Sequence, residues 1–161
     1  MVTLENTQTL YGLVKKASEE YSNRVFMRYE RNDEIIERTY LELKSDVDAL
    51  ASWMKEKNDA RGRKLHAAII GKCSYRYVVT LFGITATGSV AIPMDVQLGN
   101  DIFVDELTRA DVDVLFYDWE FQSQVDVIKE NCPNIKYYVC MQNLYKNDTN
   151  IVESVSGIIA N

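Results

Sequence analysis

The chain has a single histidine, His66, and three cysteines, Cys73, Cys132 and Cys140, none of them in C-x-x-C spacing. That excludes a Cys/His zinc site, which needs several such ligands at short intervals. An odd cysteine count without a secretion signal reads as buried or half-buried free thiols in a reducing compartment. The N-terminus, Met1-Val2-Thr3-Leu4-Glu5, has no basic segment followed by an apolar run. With no long apolar run elsewhere, neither a signal peptide nor a membrane span is expected, and the expected location is the cytoplasm. The Asn147-Asp148-Thr149 sequon is therefore a chance match. Lys and Arg are outnumbered, 18 against 24 Asp and Glu, for a net charge of −6. No basic run interleaved with aromatics occurs, which argues against nucleic acid as a partner.

What is present is one domain's length of regularly patterned chain, 161 residues, 47% of them apolar. Leu10, Leu13, Val14 and Ala17 recur at helical spacing behind a possible cap at Thr9, predicting a helix over 9–21. The run 25–40 alternates around the turn cluster Arg31-Asn32-Asp33-Glu34 and predicts a β-hairpin. Thr39 and Glu42 form a capping box, and Leu43, Val47, Leu50, Ala51 and Met54 carry a helix to about Lys57. The polar stretch 58–64 reads as a loop. Beyond it, apolar runs at 67–70, 90–92, 114–117 and 137–140 alternate with helical patterns at 75–87, 101–110 and 122–131. Continuous apolar runs are the mark of parallel strands covered on both faces. No repeated residue pattern supports a solenoid. The expected fold class is α/β: a doubly wound, mainly parallel sheet with helices on both faces and an N-terminal β-hairpin.

The stretch His66 to Tyr77, "HAAIIGKCSYRY", begins like a phosphate-binding loop. A P-loop needs G-x-x-x-x-G-K-[ST]. Here His66 stands where the first glycine should be, and Cys73 where the hydroxyl should follow Lys72. Gly71 is better read as the end of a buried strand and Ser74 as the cap of the next helix. Gly83 is expected to let its helix approach the sheet, Gly88 to end that helix with positive φ, and Pro93 to mark a strand exit. Asp111, Asp113 and Asp118 flank one strand at opposite ends, so they read as solvated strand ends and not as a metal site. The ten tyrosines read as partly buried packing groups.

Three segments taken together resemble the N-terminal subdomain of the adenylate-forming (AMP-binding) superfamily. "RTYLELKSDVDALASWM" is similar to its opening helix. "HAAIIGKCSYRYVVTLFGITATGSVAIPMD" is similar to the strand, helix and strand that follow, and "ELTRADVDVLFYD" to the next helix and strand. The resemblance runs from about Thr9 to Cys140 and is strongest to bacterial long-chain acyl-CoA synthetases, with amino-acid adenylation domains second. Where relatives often carry Asn before the helix, this chain has Cys73. The family's Ser/Thr/Gly-rich loop ending in Pro-Lys-Gly does not occur in the 161 residues, nor does its aromatic-Gly-x-Thr-Glu element. Ser154-Val155-Ser156-Gly157 is not followed by Pro-Lys.

The resemblance thus implies a single α/β domain over residues 1–161, the N-terminal scaffold fragment of a larger ATP-dependent, AMP-forming acid–thiol ligase. Catalytic, cofactor-binding and metal-binding residues are expected to be none in this part. ATP, magnesium and coenzyme A are implied for the parent enzyme. The implied partners are the parent's remaining subdomains, with self-association of the free fragment through uncovered apolar surface. The alternatives are a fragment of an amino-acid adenylation domain, or a stand-alone α/β ligand-binding or regulatory domain. In the last, the ligand would sit at the carboxyl ends of the strands, near Gly71, Met94-Asp95, Asp118-Trp119 or Met141.

Overall fold

A computed structural model of the chain describes residues 7–31, 33–142 and 153–160. Helix α1 (Leu10–Tyr21) starts at Thr9, whose hydroxyl accepts from the Gly12 amide at 2.9 Å. Strands β1 (Val25–Arg31) and β2 (Glu34–Thr39) form an antiparallel hairpin with Arg31 opposite Glu34. Asp33 sits at its turn in the left-handed region, φ 62°, which Asp tolerates better than most residues.

Helix α2 (Tyr40–Arg61) opens on the capping box expected from the sequence. Glu42 donates its amide to the Thr39 hydroxyl at 3.2 Å, and the Thr39 amide donates to the Glu42 carboxylate at 2.7 Å. The helix runs past Lys57, through residues assigned to a loop by their polarity, and ends at Gly62 with φ 68°. Tertiary partners explain the extension. Asn58 is buried and bonds the Leu65 amide at 2.9 Å and the Ser89 hydroxyl at 3.0 Å.

The remaining elements alternate: β3 (His66–Ile70), α3 (Tyr75–Ala86), β4 (Val90–Pro93), α4 (Asn100–Arg109), β5 (Val114–Tyr117), α5 (Gln122–Asn131) and β6 (Tyr137–Cys140). A two-residue strand β7 (Glu153–Ser154) and helix α6 (Val155–Ala160) follow. The strands form one parallel sheet in the order β4-β3-β5-β6-β7. Pro93 lies on the edge strand β4, where its missing amide breaks no interior ladder.

Alternation along the strands divides the core in two. Ala67, Ile69, Val114, Phe116 and Val139 face α2 and α3 through Val47, Leu50, Met54 and Val79. Ala68, Ile70, Leu115, Tyr117 and Cys140 face α4 and α5 through Phe103, Leu107, Val125 and Ile128. The sheet is thus doubly wound, as the sequence predicts. Gly83 makes its close approach to a helix and not to the sheet. A Cβ there would lie 2.8–2.9 Å from Leu50 on α2. Gly88 follows the end of α3 with φ 72°, in the role expected of it.

The amino end of β5 is pinned by Asp113, which is buried and not solvated as its place at a strand end suggested. Its carboxylate accepts from Arg61 at 3.0 Å, from Arg63 at 2.8 Å and from the His66 amide at 3.1 Å. Asp111 is exposed, has φ 49° and pairs with Arg63 at 3.1 Å. Replacing Asp113 by Ala leaves the Arg61 guanidinium and the His66 amide without this acceptor and leaves Arg63 with Asp111 alone. Asp113→Ala should lower the unfolding free energy by roughly 3 kcal/mol in urea titration. A loss within error would show that the cluster is incidental.

Gly83→Ala should also destabilise, by about 1–3 kcal/mol, although Ala is the better helix former. Combining it with Leu50→Ala should cost less than the two single changes added together, because the smaller residue vacates the contested space. Strict additivity would place the strain elsewhere.

Candidate functional site

In a doubly wound sheet the ligand crevice opens at the carboxyl ends of the strands, where successive crossovers leave to opposite faces. Here β3 connects through α3 to β4 on one side, while β5 lies on its other side, so the switch falls between Gly71 and Asp118. The structure brings together three of the positions singled out in the sequence: Gly71, Asp118 and Met141. A Cβ on Gly71 would lie 2.5 Å from the Met141 methyl and 2.7 Å from the Asp118 carboxylate. The glycine is needed for this close approach.

Asp118 is buried, which corrects its reading as a solvated strand end. Its Oδ2 accepts from the Lys72 amide at 2.8 Å, and its Oδ1 is buried without a partner. Burial pushes this carboxyl above the usual range, with the Lys72 amide opposing the shift. The Lys72 ammonium turns outward to Glu120 at 2.7 Å. A phosphate at this turn would need the Lys72 amide and ammonium, and both are engaged by carboxylates. The turn therefore does not fit a nucleotide phosphate. Ser74 caps α3, its hydroxyl accepting from the Tyr77 amide at 3.2 Å.

The other sequence positions stand apart from this contact. Met94 is buried against the α4 side, and Asp95 accepts from the Gln97 amide at 2.9 Å in a local turn. Trp119 is exposed, and its amide donates to Gln142 at 2.7 Å. Among the described residues no three His, Cys, Asp or Glu side chains are placed to hold a metal ion. Cys132 and Cys140 are buried thiols, whereas Cys73 is exposed, contrary to the expectation of buried or half-buried thiols. No described helix is long and apolar enough to cross a membrane.

Among the described residues, a groove opens beside this turn. It has a volume of about 660 Å³ and runs between β1 and the amino end of α3. Its walls include Tyr29, Arg28, Arg31, Ser74 and Arg76. Sequence reasoning missed it, because Arg28 and Arg31 are far from Arg76 in the chain and meet only when the hairpin folds back. Tyr29 stacks on Tyr75 there, ring centroids 6.3 Å apart and planes 17° from parallel.

A parallel sheet wound on both faces, preceded by a capped helix and a hairpin, defines the class: a doubly wound α/β domain with an N-terminal hairpin. The model of the AMP-binding enzyme family matches residues 14–155, and the chain belongs to that family. No curated protein sequence matches it significantly. Among solved structures, the adenylation domain of a carboxylate reductase from Mycobacterium chelonae superposes with a TM-score of 0.77 at 17% identity, over 97% of this chain and 29% of that one. A benzoate CoA ligase from Burkholderia xenovorans gives 0.73 at 14% identity, over 94% and 28%. Coronafacic acid ligase from Pectobacterium brasiliense gives 0.75 at 13% identity, over 95% and 29%. At such identities the likeness is one of fold. The chain spans 28–29% of the length of these relatives.

The buried Asp118 has a pH signature. A carboxyl whose folded pKa is raised stabilises the fold fully below its unfolded value, about 3.9, and loses that contribution as pH rises through the folded value. Asp118→Asn keeps an acceptor for the Lys72 amide and removes the charge. It should therefore raise stability at pH 7, with the gain fading toward pH 4. Urea titrations at the two pH values check this, and a pH-independent offset would refute it.

Proposed function

We propose that this chain is the N-terminal scaffold part of an ATP-dependent, AMP-forming acid–thiol ligase of the acyl-CoA synthetase type. A fatty acid is the proposed acid and coenzyme A the proposed thiol. The observation that supports this reading is the family match across residues 14–155, set beside ligases more than three times as long. In this reading the chain contributes framework and pocket wall. ATP, magnesium and the acyl-adenylate belong to the parts of the family that carry the Pro-Lys-Gly loop, a motif that the 161 residues do not contain. No chemical step is assigned to Gly71-Lys72, whose polar groups are already engaged. A second reading is an adenylation domain that hands its acyl group to a carrier-borne thiol. It is favoured by the match to a carboxylate reductase adenylation domain.

Two proteins compared side by side test the proposal. The chain itself, given ATP, magnesium, coenzyme A and a panel of fatty, aryl and amino acids, should release no pyrophosphate. The same chain extended through its natural downstream reading frame should release pyrophosphate and AMP with at least one acid, fatty acids first. An extended protein that folds, binds ATP and adenylates nothing in the panel would sink the ligase reading. Pyrophosphate release by the 161-residue chain would move the active site into it.

A further inference from the structure

We propose that the groove between β1 and the amino end of α3 binds a small organic anion, an oxyanion head on an apolar body, with Arg31 and Arg76 holding the head. The chain as a whole is acidic, yet this groove is lined by Arg28, Arg31 and Arg76 against one carboxylate, Glu30. Arg28 is already paired with Glu37 across the hairpin. The side chains of Arg31 and Arg76 make no hydrogen bond or ion pair to any described residue.

Arg76 is the more telling of the two. It is partly buried, and its Nη1 is sealed from solvent without an acceptor. Burial pulls its pKa down, while the charge of Asp46 opposes that pull. Asp46 itself takes the Tyr75 hydroxyl at 2.9 Å. A guanidinium cannot relieve its burial by losing a proton at ordinary pH. Asp46 offsets its desolvation in part; an oxyanion in the groove would add the direct hydrogen bonds that Nη1 lacks, and the planar fork suits a carboxylate or a phosphate.

Two further features point to the same chemistry. Ser74 takes the Tyr77 amide, but the Tyr75 and Arg76 amides before it have no acceptor within the helix, and the helix dipole adds positive potential at that end. Met27 and the stacked Tyr29–Tyr75 pair give an apolar wall. At about 660 Å³ the groove has the size of a small-molecule site. An inorganic ion would use the arginines and leave the aromatic wall bare, so an organic anion is the better fit.

The test uses the whole chain and three probes: phenyl phosphate, benzoate and inorganic phosphate. In calorimetry, at least one organic anion should bind saturably and about tenfold more tightly than inorganic phosphate. Whichever organic anion binds more tightly identifies the head group. In amide NMR spectra the shifts should centre on Tyr29, Ser74 and Arg76. Arg31→Gln and Arg76→Gln should each weaken binding about tenfold, the worth of a charge-assisted hydrogen bond. Arg109→Gln, on the outer face of α4, should leave it unchanged. Should Arg76→Gln fail to fold, Arg31→Gln decides alone, since the Arg31 side chain is exposed. Absence of saturable binding by both organic anions would overturn the proposal. So would equal affinity for inorganic phosphate, or binding indifferent to the arginine changes.

Discussion

The carboxylate of Asp113 is where the amino ends of the central strands are joined to the longest helix. Arg61 reaches it from the last turn of α2, Arg63 from the connection into β3, and the His66 amide from the start of β3. The backbone of Asp113 completes the junction. Its amide donates to His66, and its carbonyl accepts from Lys136 and Tyr137 at the start of β6. A buried charge is tolerable only when neutralised and hydrogen-bonded. Asp113 therefore holds α2, β3, β5 and β6 in one register. The length of α2 follows from it, because Arg61 reaches the carboxylate only if the helix persists through the polar residues before it.

The opposite end of β5 carries a second buried aspartate in contrasting circumstances. Asp118 has one backbone amide on one oxygen and nothing on the other. Asp113 stabilises its end of the sheet, whereas ionised Asp118 is costly at neutral pH. The cost is tied to the tightness of the crevice: Gly71, Met141 and Asp118 fill the space that other doubly wound folds leave for a ligand. Among the described residues a groove opens instead between α3 and the hairpin. It brings together Arg31 and the partly buried Arg76, whose side chains bond no described residue.

Much of this was legible in the residues. The capping box at Thr39–Glu42, the glycine after α3 and the even spacing of apolar runs are local signals, and each marks what it should. The errors share one cause. Residues 58–61 are mostly polar, and polarity alone reads as loop; their helix is held by Leu65 beyond the turn and by Ser89 and Asp113, which are distant in sequence. In the sequence Asp113 and Asp118 read as solvated, because no local pattern announces the guanidinium pair that neutralises one or the packing that encloses the other. Gly83 was rightly read as a point of close approach, but the partner, Leu50, lies on another helix. The groove had no sequence signal, since its arginines come from two segments more than forty positions apart.

The sequence by itself determined the element order, the parallel winding and the family, because these rest on periodicity, caps and apolar runs that each segment carries within itself. The tertiary structure alone decided which charges are buried, which backbone amides they occupy and where the open volume lies. Those are properties of pairs of distant segments. Burial and electrostatic pairing exist only once the hairpin, α2 and the sheet edge have been brought into contact.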